Sequence, residues 1–145
     1  MRCPFCSSKE TRVVDKRDTR ELVRRRRECL KCLRRFTTYE HVELDLSVIK
    51  KDGRREPFSR KKLYEGISRS LEKRPFSSED VQDLVGEIES RIYRKSNGKD
   101  VSTKKIGEIV MAKLKRIDKV AYIRFASVYR DFEDVNDFKK EIKNL

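Results

Sequence analysis

The sequence predicts an α+β chain: a small three-stranded module held together by its cysteines, followed by a mostly helical domain that opens with a β-hairpin. Three observations predict it. Four cysteines stand in two C-x2-C pairs, Cys3 with Cys6 and Cys29 with Cys32, and 22 residues separate the pairs. The stretches between and after the pairs are short and rich in β-branched, aromatic and arginine residues, the composition of strands. From about residue 59 onward, apolar residues recur at helical spacing instead.

The four cysteines are all that the chain has. Thiolates at this spacing can form a tetrahedral S4 cage that suits one structural Zn²⁺ and leaves no open position for catalysis. A redox dithiol is the competing reading, but such enzymes place one pair ahead of a helix in a βαβ setting. Here two pairs bracket a strand-like basic segment. Strands are predicted over Thr11 to Lys16, Leu22 to Glu28 and Arg34 to Tyr39, with each cysteine pair in a turn; that is a zinc ribbon. The module, residues 1–46, is close to the length of about 40 residues below which chains usually need metals or disulfides.

Residues 1–38 hold thirteen lysines and arginines against five acids, a balance of +8. A zinc–tetrathiolate contributes roughly −2, so the module stays strongly positive. The candidate contacts to a nucleic acid are Arg12, Lys16 and Arg17 on the first strand, the run Arg24, Arg25, Arg26 and Arg27 on the second, and Arg34 and Arg35 at the third. On a strand the run alternates faces, so two of its four can address the same backbone or groove. Arginine binds phosphates and also reads guanine, so residue type alone does not show sequence specificity. A solvated charge run is the alternative. Phe36 and Tyr39 read as ribbon core rather than as base-stacking platforms. His41 follows four cysteines that already fill a zinc shell, which leaves it a structural or surface role.

The second domain, residues 47–138, opens with Val48-Ile-Lys-Lys-Asp-Gly-Arg-Arg-Glu-Pro-Phe58. Asp52-Gly53 is a favoured pair for a two-residue hairpin turn, where both central positions need φ > 0. Leu63, Ile67 and Leu71 then lie on one helical face behind Ser59 as N-cap. Ser77 and Asp80 form a capping box with Asp in place of Glu. They precede Val81, Leu84, Val85, Ile88 and Ile92 on one face, and Asn97-Gly98 is the stop. A third helix is expected over residues 103–117. A fourth is expected over 119–132, with Val120, Ile123, Phe125, Val128 and Tyr129, so apolar that it should be the most buried. Residues 139–145 read as a charged tail.

The whole chain of 145 residues is 43% charged and carries a formal +13. Such a surface favours polyanions and is unlike that of an enzyme for small neutral substrates. No apolar run exceeds four residues, so nothing is expected to span a membrane. Cys3 follows Met1 so closely that no secretory signal is expected, and a reducing cytoplasm suits unpaired cysteines. No Walker A pattern is present: Gly98-Lys99 lacks the upstream glycine and precedes Asp100. Neither a catalytic carboxylate pair nor a nucleophile–base set is visible, so the reading is that of a non-enzyme. The hairpin with its cations beside a helix start is either a polyphosphate cradle or a plain solvated hairpin.

Met-Arg-Cys3-Pro-Phe-Cys6, Arg-Arg-Arg-Arg-Glu-Cys29-Leu-Lys-Cys32 and Arg35-Phe-Thr-Thr-Tyr-Glu40 resemble the start of the NrdR family, bacterial repressors of ribonucleotide reductase operons. Val48-Ile-Lys-Lys-Asp-Gly53, with Glu56, Phe58 and Lys62, resembles the opening of the ATP-cone, a nucleotide-binding domain. Val120-Ala-Tyr-Ile-Arg-Phe-Ala-Ser-Val-Tyr-Arg130 is similar to the last cone helix. The resemblance implies that Lys50, Lys51 and Lys62 hold phosphates and that Val48 and Glu56 lie near base or sugar. It places Thr103 and Tyr122 at the nucleotide, with Tyr129 beside them; helix core is the alternative for both tyrosines. Three departures stand out. Ser7 and Leu33 occupy places where the family has glycine, so the turns must form without glycine's freedom at φ > 0. Lys51 replaces an arginine and lacks its bidentate fork. The loop near Thr19 to Glu21 is shorter and lacks a glycine turn.

The implied function is a repressor responsive to ATP and dATP. Its cone would set a nucleotide-dependent homo-oligomer, and its ribbons would bind double-stranded DNA at paired boxes in ribonucleotide reductase promoters. dATP would favour the DNA-binding assembly and ATP alone a non-binding one. A cytoplasmic protein associated with the nucleoid is expected. The rival from another class is a constitutive ribbon whose cone is only an oligomerisation scaffold; a hydrolase or thiol oxidoreductase is the other.

Overall fold

The computed structural model describes residues 1–18, 22–41, 45–97, 99–130, 132–143 and 145, the side chain of His41 excepted. The expected loop at Thr19 to Glu21, the side chain of His41 and the glycine of the Asn97-Gly98 stop lie outside the described residues. The chain divides into two compact units, Met1–Glu43 and Leu44–Leu145.

The first unit is an antiparallel sheet of β1 (Thr11–Asp18), β2 (Leu22–Cys29) and β3 (Arg35–His41), in that order. A bulge between Val13 and Asp15 interrupts the β1–β2 register. Among the described residues of this unit, the buried apolar side chains are only Cys3, Leu22 and Cys29. Apolar burial is worth about 1.5–3 kcal/mol per large side chain. Three such residues cannot offset the ordering of some 40, which costs about 1–2 kcal/mol each. Phe36 and Tyr39 are half-buried on opposite faces of the sheet, cross-strand from Arg27 and Arg24.

The second unit begins with a hairpin of β4 (Ser47–Ile49) and β5 (Arg55–Pro57). Its turn is longer than the two residues expected, since the Lys50 N–H donates to the Arg54 carbonyl and the Gly53 N–H to that of Lys50. Gly53 at φ 83°, not Asp52, takes the positive φ. Next come α1 (Arg60–Ser70), α2 (Ser78–Ser96), β6 (Val101–Ser102), α3 (Thr103–Ile117), α4 (Lys119–Tyr129) and α5 (Val135–Lys143). β6 pairs parallel with β4, which gives the order β5-β4-β6. Ser59 caps α1 by accepting from the Lys62 N–H. The Ser77–Asp80 capping box is present in full, and Asn97 ends α2 at φ 53°. Ile67, Val85, Ile88, Ile92, Val110 and Leu114 are fully buried and form the centre of a core of 18 residues among those described. No helix among the described residues is long and apolar enough to cross a membrane.

Two elements differ from expectation. α4 ends at Tyr129 rather than 132, and it is not the most buried helix. Only Ala121, Tyr122 and Ala126 are buried on it, against seven residues on α2, while Val128 is 87% exposed. α4 packs against α3 and α1, with Ile123, Phe125 and Tyr129 only partly buried against the core and Val120 and Val128 exposed. α5, absent from the sequence reading, runs through the domain limit expected at residue 138, so residues 139–143 are helix and not tail. Asp134 receives the backbone N–H groups of Asn136 and Asp137 at its start. Glu141 anchors its far end: buried, it accepts from the Tyr122 hydroxyl and from Arg130 at 2.6 Å.

Candidate functional site

Three sites emerge, two in the first unit and one in the second. In the first unit the two cysteine turns bring four sulfurs within 4.8 Å of one another. Cys3 and Cys32 Sγ lie 3.7 Å apart, and Cys6 and Cys29 Sγ 3.6 Å. Zinc–sulfur bonds of about 2.3 Å in a tetrahedron put sulfurs about 3.8 Å apart, so these two spacings suit Zn²⁺. The Cys32 N–H, with that of Lys31, draws the Cys29 thiol down to about 6. The Ser8 N–H acts in the same sense on Cys6, but burial and the neighbouring sulfurs push it up to about 12. Four sulfurs this close cannot all carry charge without a cation.

Each turn is a knuckle. The Ser7 and Leu33 N–H groups donate back to the Cys3 and Cys29 carbonyls at 2.9 Å. Both residues stand in the left-handed region, at φ 58° and 59°, where the family resemblance has glycine. The geometry is therefore kept without the residue that adopts it freely, at a cost of about 1–2 kcal/mol per residue.

On the sheet, Arg24 and Arg26 share one face with Arg12, Arg17 and Arg35; Arg25 and Arg27 share the other with Lys16. The first face is more basic, although acids tether part of it. Glu28, buried beside Cys29, binds Arg12 at 2.6 Å and Arg35 at 2.8 Å, and they hold its carboxyl below the usual range, Arg35 most. Asp15 lies 3.5 Å from Arg24 and 3.6 Å from Arg17. Arg26 is exposed and has no ion pair among the described residues. On the opposite face Lys16 meets Asp18, Arg25 meets Glu40, and Arg27 donates to Thr38. Arg34 leaves the sheet and stacks over Phe5, 5.3 Å from its centroid.

In the second unit the hairpin, α1, α3 and α4 enclose a cavity of about 250 Å³. Val48, Lys50 and Glu56 come from the hairpin, Lys62 from α1, Thr103 from α3 and Tyr129 from α4. Glu56 Oε2 receives Lys50 at 3.3 Å and Lys62 at 3.2 Å, which lowers its carboxyl, through Lys62 first. The floor is apolar: Phe58, Leu63, Ile106, Val110 and Phe125. Cations at the mouth and an apolar, aromatic floor are what a nucleoside polyphosphate requires, phosphates outward and base inward.

Six of the eight candidates for this site thus converge. Lys51 does not line the cavity; it stands on the turn, where its charge acts on the Tyr129 hydroxyl against the upward push of burial and Glu108. Tyr122 does not line the cavity either. It is 5% exposed, its hydroxyl donates to Glu141, and Lys115 lies over its ring, so it takes the helix-core role. Phe58, Ile106, Gly107 and Phe125 were missed as lining because their pattern on the sequence is that of core.

Comparison with known proteins adds the following. Residues 1–40 match the family described as the N-terminal domain of NrdR-like transcriptional repressors, and residues 46–135 match the ATP cone domain. The chain is 56% identical to the transcriptional repressor NrdR of Acetivibrio thermocellus, over all of this chain and 97% of that protein. It is 52% identical to that of Caldicellulosiruptor bescii, over all of this chain and 96% of that protein. For Syntrophus aciditrophicus the figures are 53%, all of this chain and 92% of that protein.

Proposed function

The chain belongs to the NrdR family of transcriptional repressors, and on that premise we propose that it represses ribonucleotide reductase genes in response to ATP and dATP. Its role is regulatory, not catalytic, and its ribbon binds DNA. One observation carries the nucleotide reading. The hairpin and α1 bring Lys50 and Lys62 onto a single oxygen of Glu56 at the mouth of an apolar cavity. A triphosphate entering there takes over both ammonium groups. Glu56 is then free to accept from a ribose hydroxyl or an adenine amino group. Lys51 sits on the adjoining turn as a further cation.

On the ribbon, Cys3, Cys6, Cys29 and Cys32 would hold one Zn²⁺, whose contribution is to fix the two knuckles and so the sheet between them. The exposed arginines and lysines of that sheet meet phosphates, and we assign them paired boxes in the promoter. Paired boxes call for paired ribbons, hence a homo-oligomer whose form the cone sets. Each nucleotide shifts one assembly toward another only by its difference in affinity for the two.

The test is calorimetric titration of ATP and dATP into the zinc-loaded wild-type protein and into Lys50→Ala/Lys62→Ala. Two lost charge-assisted contacts, each worth about 1.5–3 kcal/mol, should weaken both nucleotides more than a hundredfold. Equal binding by the double variant would remove the cavity from the account.

A further inference from the structure

Gly107 sits on α3 in the wall of the nucleotide cavity and offers it no functional group. We infer that it is nonetheless a positioning residue: its missing side chain is the seat on which Tyr129 walls the site. This rests on the nucleotide reading of that cavity.

A Cβ built on Gly107 would lie 2.0 Å from Tyr129 Cζ, 2.1 Å from Cε2 and 2.6 Å from Cε1. Carbon atoms do not approach so closely, so the ring rests directly on the α3 backbone. It is also pinned there. Its hydroxyl donates toward the carbonyls of Thr103 at 3.2 Å and Lys104 at 2.7 Å, in the first turn of the same helix. Phe125 stacks behind it, with centroids 5.8 Å apart and planes 21° from parallel. Any side chain at 107 drives the ring off this seat by more than an ångström. The ring must then give up the Lys104 bond and either push Phe125 or enter the cavity.

Glycine at this place is not explained by the helix. In the second turn of α3, inside the helix, it is the worst residue after proline. A residue that a helix disfavours is expected where a close approach requires it. Gly66 on α1 lines the same cavity and makes the contrast: a Cβ there would meet Phe125 at 3.7 Å, an ordinary contact.

The experiment titrates ATP and dATP into full-length, zinc-loaded wild type, Gly107→Ala, Tyr129→Leu and the double variant, with thermal unfolding of each measured without nucleotide. Gly107→Ala should bind both nucleotides at least tenfold more weakly than wild type, with no loss of thermal stability. In the Tyr129→Leu background the same change should alter affinity less than twofold, because the ring it displaces is gone. Gly107→Ala binding within twofold of wild type would overturn the inference, and so would an equal penalty in both backgrounds. Should Gly107→Ala alone unfold the cone, a double variant that folds and binds like Tyr129→Leu supports the inference, and one that stays unfolded overturns it. Wild type that binds neither nucleotide takes down the cavity reading itself, and this inference with it.

Discussion

The ribbon and the cone hold themselves together by opposite means. The cone has an apolar core of 18 residues among those described, N-terminal caps on α1, α2, α3 and α4 from Ser59, Ser77, Ser102 and Asp118, and partly buried ion pairs such as Arg60–Glu89 at 2.8 Å. The ribbon has three buried apolar side chains among its described residues, two of them cysteines. Surface needed for polyanions is surface withheld from a core, so a small module covered in arginine needs a clamp from elsewhere. The difference teaches that one chain can carry two independent stability switches: metal for the DNA-binding part, apolar burial for the nucleotide-binding part.

The widest separation between them should come from chelation. A structural zinc contributes on the order of 10–16 kcal/mol, so its removal is expected to unfold the ribbon and abolish DNA binding. The cone's helical circular dichroism and its thermal transition should survive. Loss of both units together would deny their independence. Next in size is the converse experiment. Ile88→Ala, at a site 1% exposed, should cost the cone about 2–5 kcal/mol. Zinc content and ribbon amide dispersion should stay unchanged, and concurrent zinc loss would contradict the comparison.

Within the ribbon, the arginines should not count equally. Arg26, exposed and without an ion pair among the described residues, should carry a full phosphate contact. Arg26→Ala is expected to reduce the salt dependence of DNA binding by about one unit of slope. Arg12→Ala, whose guanidinium is shared with Glu28, should reduce it by less. Equal slopes would show that the Glu28 pair opens freely on DNA. The smallest effect concerns the knuckles. Ser7→Gly and Leu33→Gly should each stabilise the zinc-loaded ribbon by about 1 kcal/mol, since glycine relieves φ 58° and 59°. No rise in chelator resistance would mean that those turns are unstrained.

Legibility followed the range of the signals. Cysteine spacing and the Ser77–Asp80 box are decided by neighbours a few residues apart, and they read correctly. So did the buried faces of α1 and α2, where apolar spacing and core coincide. The hairpin at Asp52-Gly53 forms too, but through a longer turn in which Gly53 and not Asp52 has φ > 0. β6 is two residues long and exists only because Val101 pairs with Val48 across the chain. α5 does carry an apolar stripe, Val135, Phe138 and Ile142 at i, i+3 and i+7, but over nine residues only. The Phe132–Phe138 edge contact, Asp134 and the buried Glu141 hold it, and a buried glutamate reads as surface until its partners are known. α4 misled because its apolar residues run all the way round while its neighbours cover only part of it. At the cavity the cations were legible through resemblance, but Tyr122 was not excluded, because nothing local reveals that Glu141 and Lys115 claim it.

The central claim is that the cone governs the ribbon. Its most direct test is an electrophoretic shift of a ribonucleotide reductase promoter fragment from the host by the zinc-loaded protein. The lanes hold no nucleotide, ATP, dATP and both, at one fixed salt. The account expects a shifted complex with dATP that is absent with ATP alone. A shift of equal strength in every lane would contradict it, leaving a DNA-binding ribbon whose cone senses nothing.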